Sequence, residues 1–592
     1  MWNGALGRRL RAPYLLLPLA LLVWALSLRT VDLAGMDDLG LLQVLPAGYW
    51  IAVALLTAGF WLALRDRRVR TRWLTGYLLG LIAVIHATPS LLYPTLRYSW
   101  AWKHIAVLDA MLSAGGQVPH AGGFDIYNQW PGFFLLNALY LRVTGLESAL
   151  GYAAWAPPVV NALLLGPLLL LYRSFSTDRG LVWGGLWVYY CCAWVGQDYF
   201  APQAFAFLLF VTVLALVARQ LPDATGRGGG AGSTVGAGSG GAHASGEPER
   251  AGPRRVLPLL AVLVLEAAVV VSHQLTPLML VCVLTALALP RRNRRVVLPA
   301  LAGVVVLTLA WYVTAARPYL SKNLPEFVTD LSSPGGNVLS GLAGLGAAAP
   351  GQVVVAWVDR GLSAAVILLA LAAVWRRPWV RRTALPLAAA APLPLLLANG
   401  YGGEMIFRVY LFALPACAFL IAVLLRPAAR TGVRAVAAAG VTAALLGGLF
   451  FGYYSKENMN YFTPGEVAAV ARTIELAPPG AVIVSVTGNV PGVAAHYDVH
   501  PRVQLDQESE DVRRQLATDP LAALARATAF APPGTPFYLV LNRAQAAECY
   551  LTGVLPADTV AKLGAAVDDA PRFAVVERND DAAVYRYVPE PG

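Results

Sequence analysis

Ionisable side chains that fall inside or beside long apolar runs carry a solvation cost, so each asks for a reason. The densest group in this sequence lies at 97–134, RYSWAWKHIAVLDAMLSAGGQVPHAGGFDIYNQWPGFF, which holds Lys103, His104, Asp109, His120 and Asp125 and closes on Tyr127, Asn128, Gln129, Trp130 and Pro131. Further on, Gln197 and Asp198 stand in WVGQDYFAPQ, Glu266 and His273 in a later apolar run, and Glu404 and Arg408 in YGGEMIFR. Together they suit group transfer away from a phosphate. A carboxylate accepts the proton of an attacking hydroxyl, and cationic groups hold the departing anion.

Each residue also has a plainer reading. Asp198 precedes an X-Pro helix start and suits an N-cap. Glu404 and Arg408, four apart, suit an intrahelical ion pair, whereas the sharper reading gives Arg408 a lipid phosphate to hold bidentately. Glu266 and His273, seven apart, share a helix face and suit an interhelical hydrogen bond. His104 and Asp109, five apart, need not share a face, and Trp100 and Trp102 suit interfacial anchoring. Asp37 and Asp38 form a compact acidic pair that suits a solvated turn and is held in reserve.

The elements that must position these groups are membrane helices. Of 592 residues 57% are hydrophobic and only 13% charged, more apolar surface than a soluble chain of this length hides. Apolar runs at 14–31, 47–64, 73–93, 151–172, 180–196, 201–219, 256–272, 274–290, 296–313, 358–375, 383–399, 409–425 and 435–453 predict about thirteen spans. The net charge of +11 sits in short arginine clusters between spans, which excludes a nucleic-acid stripe and reports topology instead. Arg8, Arg9 and Arg11, then 65–72, 291–295, 375–382 and 426–434, all fall on one side if the N-terminus is cytoplasmic. This predicts a multi-pass plasma-membrane protein whose 94–150 loop faces outward. Within that loop, 130–145 is too short to span and reads as an amphipathic helix on the surface. The five cysteines lack metal spacing and imply no disulfide framework.

Two domains follow: a membrane domain, 1–454, and a soluble extracytoplasmic α/β domain, 455–592. The Gly/Ser-rich stretch 222–253 reads as a disordered cytoplasmic linker. In the second domain Thr463, Pro464 and Glu466 open a helix, AVIVSV and FYLVLN read as buried strands, and 572–588 as a hairpin turning at 579–581. TGNVPG after the first strand is a weak phosphate-loop signal and reads better as a plain connection.

The pattern from 73 to 454 resembles the GT-C superfamily of polyprenyl-phosphate-dependent membrane glycosyltransferases. The run from His104 through Asp109, Gly115 and Gly116 to 126–134 looks like its loop signature, and Asp198 takes the place of its second carboxylate. SHQLTP (272–277) and YGGEMIFRVYLFALP (401–415) look like later elements, with Arg408 in the phosphate-binding position. The resemblance implies an inverting transferase that moves a sugar from a polyprenyl-phosphate donor to a cell-envelope glycan, lipid or protein. Asp109 or Asp198 would be the base or the ligand of a divalent cation (Mg or Mn), which some members need and others do not. His104 and His273 would orient acceptor or phosphate, and Lys103 would bind the lipid phosphate. Glu404, Glu266, Tyr127, Trp130 and Gln197 would support them, and the last domain would bind the acceptor or an envelope-assembly partner protein. One departure stands out. The family's first Asp sits shortly before the loop His, where this chain has Tyr98, Ser99 and Trp100, so Asp109 or the pair Asp37 and Asp38 replaces it, or the chemistry is lost. The rival expectation is a non-catalytic scaffold or transporter built on the same fold.

Overall fold

A chain leaving water must satisfy its backbone within itself, so apolar runs become helices. The computed structural model describes residues 2–222, 253–332, 347–398, 404–425 and 432–587; the predicted linker falls outside them at 223–252, as do Tyr401, Gly402 and Gly403. Among the described residues eight helices are long and apolar enough to cross a membrane: Ala12–Thr30, Ala47–Arg65, Thr71–Leu92, Ala156–Phe175, Arg291–Val313, Pro350–Arg376, Met405–Leu425 and Ala435–Tyr454. Shorter apolar helices, Pro202–Ala218, Leu257–Ser272, Thr276–Ala288 and Leu385–Leu397, and the helix Arg179–Cys192 fill the remaining predicted positions. The protein is a polytopic helical membrane protein with a small α/β domain at its C-terminal end.

Two of the predicted spans change shape for local reasons, and a third ends where the sequence puts it. The run 383–399 breaks into Leu385–Ala390 and Leu393–Ala398, because Pro392 lacks an amide hydrogen and crowds the preceding turn. The run 180–196 stops at Cys192 and passes into an irregular loop, 193–201. The helix carrying Glu266 ends at Ser272, and the His273 N–H still closes its last turn on the Val269 carbonyl at 3.2 Å. His273 Nδ1 accepts from the Thr276 backbone N–H at 3.2 Å and faces its hydroxyl at 3.0 Å, tying off the start of the next helix. Glu266 is fully buried beside Gly303, where a Cβ would lie 2.8 Å from its carboxylate.

Arg179–Cys192 is apolar all round and buried along nearly its whole length, which makes it the central post of the bundle. It packs on Met405–Leu425 and on the last membrane helix, Val433–Tyr454. Beside it the 94–150 loop folds into Ser99–Ala114 and Gly132–Thr144, packed on each other around Ile105, Leu108, Phe133 and Phe134. The second helix is only 13 residues long, too short to span, and exposes Leu135, Leu139 and Val143.

The C-terminal domain is a five-stranded sheet in the order β2-β1-β3-β5-β4, with β1 (Val482–Ser485), β2 (Arg502–Gln504), β3 (Phe537–Asn542), β4 (Phe573–Arg578) and β5 (Ala582–Tyr587). β1 runs parallel to both β2 and β3, and β5 antiparallel to β3 and β4. Thr463 and Glu466 close a capping box at the entry helix, as their spacing predicts. The turn after β1 is a connection: Gln545 Oε1 already accepts from the N–H groups of Val486 and Thr487.

Loop and domain meet at one buried ion pair. Arg97 Nη2 donates to Glu457 Oε1 at 2.7 Å, Tyr93 donates to the other Glu457 oxygen at 2.9 Å, and the Tyr98 N–H donates to the Asn460 carbonyl at 3.1 Å. Glu457 has no exposed surface and Arg97 very little. Removing one partner of such a pair leaves a buried charge uncompensated. Arg97→Met is expected to cost about 3–5 kcal/mol, and the double variant with Glu457→Leu to recover most of it. Thermal unfolding of the purified protein in nanodiscs checks this, and an additive double variant would show that the pair is not coupled.

Candidate functional site

The loop 193–201 is held from several sides, and Asp198 is its centre. Asn161 Nδ2 donates to Asp198 Oδ2 at 2.8 Å, the Tyr453 hydroxyl donates at 2.9 Å, and His86 Nδ1 lies 2.8 Å away. None of these is a helix amide, so the N-cap reading of Asp198 fails; Ala201 stands at the cap position of the next helix. His86 reaches the carboxylate from a widened π turn, Ala83–Ala87, within the third span. Burial pushes the Asp198 pKa up, but the hydrogen bond and charge of His86, with Arg97 and Tyr453, outweigh it and hold the carboxyl below its ordinary value. Asp198 is therefore ionised at neutral pH. Oδ2 is saturated, while Oδ1 is buried and has no hydrogen-bond partner among the described residues.

His104 lies against the same loop. Its Nδ1 is 2.9 Å from the Phe200 carbonyl, which can only accept, so Nδ1 carries the proton. Nε2 of the neutral ring then accepts from the Tyr127 hydroxyl at 3.2 Å. The ring also lies parallel to Tyr199, with centroids 6.0 Å apart. From the far side, Trp194 packs edge-on to Phe407 at 5.7 Å, which fixes the start of the helix bearing Arg408. Arg408 is buried and donates to Glu404 at 2.7 Å, so the intrahelical pair forms. His273 lies within charge range of both Arg408 and His104. Asp198 and His104 thus meet at one loop, Phe407 joins the Arg408 helix to its Trp194, and His273 lies within charge range of Arg408 and His104.

Other candidates lie elsewhere. Asp109 is solvent-exposed on another side of its helix, beside Tyr152 and His496. Asp38 Oδ2 accepts from the Gly351 N–H at 2.8 Å and caps a membrane helix, while Asp37 neighbours Tyr550. Trp130 is buried against Tyr312 and Tyr319, where it anchors the loop. Gln197 lies in the Asp198 loop, partly buried. Lys103 turns toward the C-terminal domain, its ammonium 4.1 Å from the Trp100 ring.

Sequence reading passed over His86, Tyr453 and Glu457, and gave Arg97 and Tyr98 no role of their own. The rule that flags Glu266, a costly ionisable group inside an apolar span, flags His86 equally. Tyr98 has φ 66°, a conformation uncommon outside glycine, and its hydroxyl accepts from Arg97. It occupies the stretch where the resemblance expects an Asp.

No family model matches the sequence, and comparison with curated proteins finds no match. Solved structures do match in fold. The apo oligosaccharyltransferase of Archaeoglobus fulgidus aligns with TM-score 0.52 and 11% identity, covering 83% of this chain and 72% of that one. The same organism's oligosaccharyltransferase AglB, in complex with an inhibitory peptide and a dolichol-phosphate, aligns at TM-score 0.49 and 11% identity over 85% and 73% of the two chains. ArnT from Cupriavidus metallidurans, bound to undecaprenyl phosphate, gives 0.47 and 12% over 88% and 100%. The first of these likenesses shows the fold: the chain is a GT-C-like polytopic helical membrane protein with a C-terminal α/β domain.

The donor set bears on a metal. No three His, Cys, Asp or Glu side chains among the described residues are grouped to hold an ion, and Asp198 offers a single oxygen. Among the described residues these side chains do not form a protein cage for Mg or Mn.

Burial pushes the His104 imidazole from 6.5 down to about 4. Across that window the unfolded chain takes up a proton that the folded ring refuses, so this residue's contribution to stability falls as pH drops. His104→Gln is expected to flatten the fall of the unfolding midpoint between pH 6.5 and pH 4 relative to wild type. Identical slopes would remove His104 as a titrating group there.

Proposed function

We propose that the protein transfers a sugar from a polyprenyl-phosphate donor to a hydroxyl acceptor at the outer membrane face, with Asp198 as base. The observation that supports this most is the Asp198 carboxylate: ionised, fixed through Oδ2 by three side chains, with Oδ1 lacking a donor among the described residues. A base must hold its protonation state and aim one lone pair at the acceptor, and this arrangement does both. The acceptor oxygen attacks the anomeric carbon and its proton passes to Asp198 Oδ1. The bond from that carbon to the phosphate oxygen breaks, and its electron pair leaves with the polyprenyl phosphate. A single displacement inverts the anomeric centre. Arg408, with His273 beside it, holds the leaving phosphate by charge-assisted hydrogen bonds. His104 and Tyr127 brace the loop from which Asp198 projects.

The outward orientation rests on the basic clusters at 65–72, 291–295 and 375–382, which occupy the ends of the helices opposite this loop. With the N-terminus cytoplasmic, the C-terminal domain lies outside the plasma membrane over the site.

Proteoliposomes given a radiolabelled polyprenyl-phosphate sugar and an envelope extract as acceptor test the reading. Asp198→Asn is expected to lower the transfer rate by about 10²–10⁴. Arg408→Gln is expected to raise the KM for donor by about tenfold. Wild-type rates from Asp198→Asn would take the base role away from this residue, and loss of transfer in Asp109→Asn alone would move it there.

A further inference from the structure

The end of the bundle away from the Asp198 loop carries a charged surface that the transfer chemistry does not use. Two turns there, 291–295 and 375–382, each hold four arginines. The fold brings the turns together. Arg292 Nη2 donates to the Arg382 carbonyl, and Thr276–Ala288, which leads into the first turn, packs on Leu385–Ala390, which follows the second. Part of each cluster is spent on ending helices. Arg294 Nε donates to the Ala288 carbonyl at 3.2 Å, and Arg381 Nε to the Val374 carbonyl at 2.8 Å. Arg291, Arg295, Arg376 and Arg382 are exposed, and their side chains make no hydrogen bond or ion pair among the described residues. Arg377 is half-buried, and its Nε is shielded from water with no acceptor among the described residues.

Neither turn brings a counter-charge. Residues 267–325 and 360–403 contain no Asp or Glu. The basic turn at 65–72 is built differently: it carries Asp66, whose carboxylate accepts from the Arg68 N–H at 2.9 Å. Membrane topology asks only that each turn be basic. It does not ask for two such turns side by side without a carboxylate, where like charges repel unless an anion comes between them.

The surface leading to the arginines is apolar. Leu368, Leu371 and Trp375 stand at i, i+3 and i+7 on Pro350–Arg376 and are 64%, 58% and 71% exposed, so they form one bare stripe that ends at Arg376. Trp379, inside the second turn, is exposed as well. Such a surface has the outline of an amphiphile. Guanidinium forks match phosphate oxygens, indole rings suit the headgroup boundary, and the leucine stripe suits an acyl chain. We infer that this face binds an anionic phospholipid, with its headgroup phosphate among the arginines of the two turns and an acyl chain along Leu368 and Leu371. The assignment does not rest on the transferase reading.

Native mass spectrometry of the lipid-stripped full-length protein in a neutral detergent tests it, with the unfolding midpoint as a second readout. Phosphatidylglycerol, phosphatidylcholine and inorganic phosphate are the separate probes. Phosphatidylglycerol is expected to bind saturably, about tenfold or more tighter than phosphatidylcholine, and to raise the midpoint. A quadruple variant at exposed positions, Arg291→Gln, Arg295→Gln, Arg376→Gln and Arg382→Gln, is expected to weaken that binding about tenfold or more. The charge-matched variant of the other turn, Arg67→Gln, Arg68→Gln, Arg70→Gln and Arg72→Gln, is expected to leave it unchanged. Equal losses in the two variants would reduce the effect to net charge and overturn the site. Equal retention of the two lipids would overturn it too, and so would no saturable binding of phosphatidylglycerol. Inorganic phosphate that binds these arginines as tightly as phosphatidylglycerol would overturn the lipid as the ligand.

Discussion

Ionised groups kept away from water hold the working end of this molecule together. An isolated buried carboxylate or guanidinium costs several kcal/mol, so each must find partners wherever the chain can deliver them. Asp198 takes its partners from the third span through His86, from Ala156–Phe175 through Asn161, and from the last membrane helix through Tyr453. Arg97 lies over the Tyr453 ring at 5.2 Å and reaches on to Glu457, the first helical residue beyond the membrane domain. Membrane bundle, polar loop and C-terminal domain thus share one electrostatic knot. Moving any of the three would strand a charge belonging to another.

That knot also explains which features were legible in the sequence. Local patterns were: apolar runs gave the helices, the alternation after 455 gave β1, β3 and the hairpin, and Glu404 with Arg408 gave its ion pair. The partners of Asp198 were not, because Asn161, His86 and Tyr453 lie 37, 112 and 255 residues from it in sequence, as counted along the chain. No local periodicity links such positions.

The fold and the chemistry are legible to different degrees. A TM-score of 0.52 at 11% identity carries the arrangement of helices and leaves the reacting groups to be argued from their own surroundings. Those surroundings separate two carboxylates that the sequence left level. Asp109 lies at the surface of its helix, where partial burial pushes its carboxyl up to about 6, and its side chain makes no hydrogen bond among the described residues. Asp198 is only 15% exposed and triply held. A base gains from having one oxygen committed to the scaffold and the other withheld from it, because its lone pair then keeps both its aim and its charge.

The same reasoning bears on the residue that stands where the resemblance expects an Asp. Tyr98 cannot take up a proton at neutral pH, and its hydroxyl accepts from Arg97 rather than facing Asp198. Its backbone, at φ 66°, is held by the hydrogen bond to Asn460. A second carboxylate so close to Asp198 would raise that residue's pKa by like-charge repulsion and would compete for Arg97, which already balances Glu457. With tyrosine in place, Arg97 stays with Glu457. Asp198 keeps its charge on Oδ2 contacts to Asn161, His86 and Tyr453, while Oδ1 stays without a partner among the described residues.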